Sequence, residues 1–455
     1  VGNGLYRVTV KAIGDGAEYL NSDESDAVKH IIATEGLEYE LNADETAYRL
    51  KSYGTATDTD VVIAPYYENL PVTEIGEQAF CYKKFIFEKY FTYEGYPITS
   101  VVIPDGVTTI GEMAFYYCTA TSVTLPDGLT EIGTYAFYNC RSLTSITLPD
   151  GLTTIGESAF RDCALTSITL PNSLTTTGIY AFGFCTALTS ITFPDGLTTP
   201  GNYMFLGCTA LTSITLPDGL TTLGLCMFKD CTALTSITLP DGLTTISYRA
   251  FANCTALESI KIPDSVTSIG EMAFNYCTAL TSITLPDGLT TIDRTAFANC
   301  RALTSITLPD GLTTIDSGVF RDCTALTSIT FPDGLTTLGI GMFRYCTSLT
   351  SITLPDSLTT IVRSVFDGCT ALTSVTLPDG LTTINYNAFS RCTALESIEI
   401  PDSVTSIGER VFKDCSLLTE IVFLGTQEEW DAIEKGSDWN QNVHENFHIT
   451  CLGEE

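Results

Sequence analysis

Leu143-Thr-Ser-Ile-Thr-Leu-Pro-Asp-Gly-Leu-Thr-Thr-Ile-Gly-Glu-Ser-Ala-Phe-Arg-Asp-Cys163 decides the fold, because the chain repeats it with few changes. Its Phe recurs at 115, 137, 160, 182, 205, 228, 251, 274, 297, 320, 343, 366, 389 and 412. Phe80 opens the series after a longer gap and makes fifteen units. A fixed period of 23 residues marks a solenoid, whose units cannot bury a core alone and must stack. Such an array presents a long surface rather than one pocket.

Within a unit, Leu143, Ile146 and Leu148 put apolar groups on one side of a short strand, with Ser145 and Thr147 on the other. Pro149-Asp150-Gly151 then stops the strand: Pro lacks a donor, Asp bonds its own backbone and Gly accepts a positive φ. Leu152 and Ile155 point inward again. Ala159, Phe160 and Cys163 are spaced to share one face of a helical turn. Stacking turns each apolar position into a ladder, so the core is a continuous spine.

The phrase Leu-Thr-Ser-Ile-Thr-Leu-Pro-Asp-Gly-Leu-Thr-Thr-Ile-Gly-x-x-Ala-Phe-x-x-Cys resembles the BspA-type branch of the leucine-rich repeat family. The resemblance spans residues 37 to 455. It implies an α/β leucine-rich repeat solenoid, a right-handed β/α superhelix of about fifteen repeats with N- and C-terminal caps. It also implies a secreted or cell-surface protein, often an adhesin for host extracellular-matrix proteins or partner bacteria.

Four segments follow. Residues 1–36 form an N-terminal segment of unassigned role, and 37–60 read as a hairpin cap, Leu37–Leu41 and Ala47–Lys51 flanking a polar turn. Residues 61–423 form the solenoid, with an aromatic insertion at 82–96. Residues 424–455 form the C-terminal cap, where Thr426 and Glu429 have capping-box spacing and Trp430 and Ile433 share a helix face.

The formal charge of −32 argues against nucleic acid and anionic membranes as partners. No apolar run approaches the ~20 residues of a membrane helix. The chain reads as an extracellular, cell-surface ectodomain whose signal peptide and anchor lie outside this stretch, and a monomer is expected. Fourteen of the 17 cysteines occupy one repeat position, from Cys118 to Cys415. A ladder spaced by the width of a helical turn is too wide for unstrained bridges, so they read as small buried hydrophobes. Cys81, Cys226 and Cys451 are off the ladder, and any disulfide or exposed thiol should involve them.

Catalytic chemistry finds no foothold. No Ser or Thr is placed beside one of the three histidines, no phosphate loop follows a strand, and nothing requires a cofactor. His444, His448 and Cys451 lie in a strand-like tail and read as cap rather than metal site. The turn Asp recurs thirteen times, ten in Pro-Asp-Gly and three in Pro-Asp-Ser, for turn chemistry or for bridging Ca²⁺ between coils.

Strand and turn positions barely vary, whereas the residues flanking Ala-Phe change constantly. There lie Tyr116, Tyr117, Tyr135, Tyr138, Tyr180, Tyr203, Tyr248, Arg249, Tyr276, Arg344, Tyr345 and Tyr386. Tyr and Arg are typical of binding hot spots, and drift on a permissive surface row is the alternative. The insertion supplies a second patch, Tyr82, Lys83, Lys84, Phe85, Phe87, Tyr90 and Tyr93, set either to contact a partner or to pack on residues 1–36. The leading expectation is a non-enzymatic recognition and adhesion protein binding an extracellular protein or glycoprotein. Glycan binding through the Ser/Thr strand face and a passive stalk are the alternatives. The weak point of the spine is expected at Thr177 and Pro200, which interrupt the Ile155 row, and Thr177→Ile is expected to stabilise by around 1 kcal/mol.

Overall fold

The computed structural model describes residues 33–453 except 88, 89 and 313, with the side chains of 85–91, 313 and 314 left aside. The chain divides into two compact units, Val1–Met204 and Phe205–Glu455, each built of stacked coils.

Most coils contribute two short strands. The first carries Ser-Ile-Thr or a close variant, its middle residue buried and its neighbours exposed, as in Ser167–Thr169 and Ser236–Thr238. The second is the two-residue Thr-Ile strand after Pro-Asp-Gly, as in Thr154–Ile155. Both pair in parallel with the same position of the neighbouring coil. In the first unit Leu70–Ile75, Thr109–Ile110, Glu131–Ile132, Thr154–Ile155 and Thr176–Thr177 run side by side. In the second, Thr245–Ile246, Ser268–Ile269, Thr291–Ile292 and Thr314–Ile315 do the same. Register is locked because Ile155 lies opposite Ile132, and a one-residue slip would turn it outward.

The core Phe residues stack coil on coil. Phe115 and Phe137 sit 4.8 Å apart with ring planes at 2°, and Phe274 and Phe297 sit 5.3 Å apart at 1°. All are fully buried. Each contributes roughly 2–3 kcal/mol through burial, and each stacked pair adds about 0.5–1.5 kcal/mol. The Ile-Gly step explains the close approach of coils: a Cβ on Gly156 would sit 2.6 Å from backbone atoms of Gly133 and Thr134.

The Ala-Phe-x-x-Cys segment is not the helical turn its spacing predicts. Ala114, Tyr116 and Cys118 donate to carbonyls three residues back, while Met113, Phe115 and Tyr117 donate to Thr134, Ala136 and Tyr138 of the next coil. Half the amides therefore point along the stack, which a helix does not allow. The chain achieves this with a left-handed residue on each side of Phe, such as Met113 (φ 54°) and Tyr117 (φ 58°). Inter-coil bonding overrides local helix spacing. The single α-helix among the described residues is Gln427–Ala432 near the C-terminus.

Cysteine at the ladder position closes a further bond. Cys140 Sγ donates to the Phe115 carbonyl at 3.1 Å, and Cys277 Sγ to the Phe251 carbonyl at 3.2 Å. Cys81 and Cys226 are buried as well, and only Cys451 is partly exposed, so a reactive thiol is confined to the tail. Threonines of the strand edges act similarly: Thr153 Oγ1 donates to the Thr130 carbonyl at 3.0 Å and Thr189 Oγ1 to Thr166 at 3.0 Å. Two Thr columns are thus spent on the scaffold.

At the ends, strands Glu38–Leu41 and Tyr48–Ser52 pair antiparallel, and the second joins Leu70–Ile75 in parallel. Near the C-terminus Thr426 caps the helix, its side chain taking the Glu429 amide at 3.2 Å while Glu429 takes the Thr426 amide at 2.9 Å. Trp430 and Ile433 are buried there. The tail strand His448–Cys451 runs parallel to Glu420–Phe423.

Candidate functional site

Seven of the twelve candidate residues of the variable row occupy left-handed backbone positions, and Tyr116, Tyr138, Tyr248, Arg344 and Tyr386 stand next to such positions. Tyr117, Tyr135, Tyr180, Tyr203, Arg249, Tyr276 and Tyr345 all have φ between 51° and 62°. A left-handed backbone costs a non-glycine residue about 1–2 kcal/mol. Glycine occupies the equivalent place at Gly318 and Gly341, where that cost vanishes. The tandem turns fix the backbone and turn these side chains away from the core, so their identity is free to change.

In the first unit the candidate residues meet. Tyr116 stacks on Tyr138 at 4.9 Å, with Tyr117 4.7 Å from Tyr116 and Tyr135 5.7 Å from Tyr138. Arg161 bridges onward, its guanidinium 5.7 Å from Tyr138, 4.8 Å from Tyr180 and 4.9 Å from Phe184. Tyr180 stacks on Tyr203 at 4.6 Å. Burial, reinforced by the neighbouring Tyr117 and Tyr138, pushes the Tyr116 hydroxyl upward, and burial with the nearby Glu157 does the same for Tyr135. These hydroxyls stay protonated donors throughout the physiological range.

The insertion joins this surface. Strands Cys81–Phe87 and Tyr90–Gly95 form an antiparallel hairpin. Tyr93 meets Tyr116 edge-on at 5.5 Å, which makes hairpin and Tyr row one continuous aromatic surface. Lys83 lies 5.7 Å over the Tyr93 ring. Lys84 and Tyr82 both engage Glu94, at 2.8 and 3.0 Å, so the basic charge of Lys84 is compensated within the hairpin. The contact with Glu94 raises the Lys84 ammonium and Tyr82 hydroxyl and lowers the Glu94 carboxyl. The side chains of Phe85, Phe87 and Tyr90, and residues 1–32, lie outside the described residues.

In the second unit the candidates fall into separate groups. Arg249 lies over Tyr248 at 5.0 Å, and with Tyr276 and Ala252 it lines an open notch of about 300 Å³. Arg344 and Tyr345 belong to a different group, and Tyr386 to a third, with Arg363 4.8 Å from its ring. Sequence comparison of the repeats missed Arg161 and Asp367 as organisers. The signal available for Asp367 was its place: it alone is acidic in the row just after the core Phe. Among the described residues no three His, Cys, Asp or Glu side chains converge as a metal ion would require. No described helix is long and apolar enough to cross a membrane.

The family model for the BspA type leucine rich repeat region matches residues 84–164, 153–277, 244–367 and 336–435. Among solved structures, a leucine-rich repeat protein from Bacteroides ovatus is 23% identical over 93% of this chain and 99% of its own, with a TM-score of 0.55. A leucine rich cell surface protein from Faecalibacterium prausnitzii is 29% identical, over 88% and 96% of the two chains, with a TM-score of 0.46. The pneumococcal vaccine antigen PcpA is 19% identical over 93% and 98%, with a TM-score of 0.49. No curated protein sequence matches the chain.

Proposed function

Because the chain belongs to the BspA type leucine-rich repeat family, we propose that it is a non-enzymatic cell-surface recognition and adhesion protein. Its partner is an extracellular protein or glycoprotein of a host matrix or another cell, held along the repeat surface of the first unit. One observation carries this reading. Bulky Tyr117, Tyr135, Tyr180 and Tyr203 are kept at left-handed positions where glycine would relieve the backbone, and Tyr116, Tyr138 and Arg161 link them to the hairpin in one aromatic surface. Strain retained at a site points to a use for the side chain.

A non-enzymatic role is supported by the thiols, the most nucleophilic groups in the chain. Burial raises their pKa, to about 12 at Cys277, so they hold their protons and do not attack. Both described histidines sit in the C-terminal tail, outside the first unit.

The test uses the same backbone feature. Tyr135→Gly, Tyr180→Gly and Tyr203→Gly remove the rings while relaxing the backbone, so binding is separated from folding. The wild-type chain is expected to capture matrix proteins or mucins in a pull-down, and the triple variant to lose capture at undiminished thermal midpoint. Capture unchanged in the variant removes the Tyr surface from the proposal, and no capture by the wild type favours a passive stalk.

A further inference from the structure

The second unit holds a charge cluster that the Tyr surface does not use. The Asp367 carboxylate is 1% exposed and ties together three successive coils. It accepts Arg344 Nε from the coil before at 2.9 Å. From the coil after, it accepts Arg391 Nε at 3.0 Å and Nη2 at 2.6 Å. The Tyr345 hydroxyl accepts a further N–H from each guanidinium, at 3.1 and 3.0 Å, and its ring lies 4.8 and 5.1 Å from them. Gly368, at φ 80°, leaves the room: a Cβ there would run into the Tyr345 ring.

Two guanidiniums and one carboxylate leave one positive charge, and no second acid lies within ion-pair distance of either arginine among the described residues. In a chain of net charge −32, two cations are held against one hydroxyl oxygen. Their side chains remain 39% and 42% exposed, and Nη1 of each has no hydrogen-bond partner among the described residues. A guanidinium edge prefers an oxyanion. The planar carboxylate slot is already filled from inside by Asp367. The two guanidiniums come from different coils and meet at the Tyr345 hydroxyl, so a tetrahedral group, with oxygens in several directions, suits the pair better than a second planar carboxylate. On the other side of the core Phe, Arg363 lies over the Tyr386 ring, whose hydroxyl accepts Arg410 Nη1 at 3.2 Å, while Arg410 pairs with Glu409 at 3.3 Å. The turn Asp residues lie between the two strands of each coil, and of the acids in the Arg391 column Asp322 pairs with Arg321 while Asp414 takes an Asn442 amide, so neither pairs with Arg344 or Arg391.

We propose that Arg344, Tyr345 and Arg391 bind a sulfate group of a sulfated polysaccharide, and that Arg363, held over the Tyr386 ring, is a second basic contact for it. The cluster shares no residue with the first-unit Tyr surface, and neither reading depends on the other.

Titration of the intact chain with heparin, with poly-glutamate as the acidic-peptide comparison, tests this. Heparin is expected to bind, to be weakened by salt and to be displaced by inorganic sulfate. Arg344→Gln, Asp367→Asn and Arg391→Gln together remove the cluster without leaving a buried unpaired charge, and are expected to weaken heparin about tenfold. Arg344→Lys keeps the charge but not the fork and is expected to fall between. Arg363→Gln, at a side chain with no carboxylate partner among the described residues, keeps the test open if the triple variant does not fold; a measurable loss is expected there too. The proposal is overturned by no heparin binding to the intact chain, by unchanged binding in the folded variants, or by poly-glutamate binding as tightly as heparin.

Discussion

The Gly201 amide donates to the Thr177 hydroxyl at 3.0 Å. In regular coils the equivalent amide reaches the backbone carbonyl of the Ile, as Gly156 does to Ile132 at 2.8 Å. Thr177 also lies 3.8 Å from Met204 Sδ. The buried hydroxyl is therefore the acceptor that the Pro200 coil requires.

This reverses the expectation for Thr177→Ile. The substitution gains apolar burial but strands the Gly201 amide, and an unmade bond of this kind costs about 1–3 kcal/mol. Thr177→Ile and Thr177→Val are expected to destabilise by about 1 kcal/mol in denaturant titration. A stabilised variant would mean that the amide finds another acceptor.

The left-handed row makes a sharper comparison. Tyr276 is 45% exposed at φ 61°, so little packing confuses the result. Tyr276→Gly is expected to be more stable than Tyr276→Ala by about 1 kcal/mol, the reverse of the usual ranking. Equal stabilities would show that the backbone there relaxes once the ring is gone.

Burial pushes Cys118 up to about 11, and Cys277, Cys323 and Cys415 up to about 12. An unfolded thiol titrates near pH 8.5. The folded state holds these protons more tightly, so their contribution is complete below the unfolded value and is lost as pH rises toward 12. Unfolding midpoints are expected to fall steadily from pH 8 to pH 10. Iodoacetamide at pH 8 is expected to label Cys451 first, and the ladder only after denaturation. Rapid labelling of ladder thiols in the folded chain contradicts this.

Phe274 lies between Phe251 and Phe297, both at 5.3 Å. Phe274→Ala is expected to cost about 3–5 kcal/mol. Contacts in a solenoid run between neighbours, so hydrogen exchange is expected to rise in the adjoining coils before distant ones. Uniform loss of protection along the second unit would instead reveal long-range cooperativity.

The repeat determined much of this protein without a structure. A period of 23 with apolar residues in fixed places admits one economical burial, coil upon coil, and so the Phe, Ile and Cys ladders were legible from Leu143 to Cys163 alone. The capping box at Thr426 was equally local. What tertiary structure alone decided concerns bonds between coils. Met113, Phe115 and Tyr117 look like a helical turn in sequence, but their amides are claimed by the next coil, which forces left-handed residues and turns the variable side chains outward. Thr177 looked like a defect until Gly201, 24 positions later, supplied its partner. Asp367 looked like one exchange in a variable row until Arg344 and Arg391 closed on it from either side. Periodicity specifies which residues are inside, because burial depends on residue type; it does not specify partners 23 or more positions apart, because those depend on register across the stack.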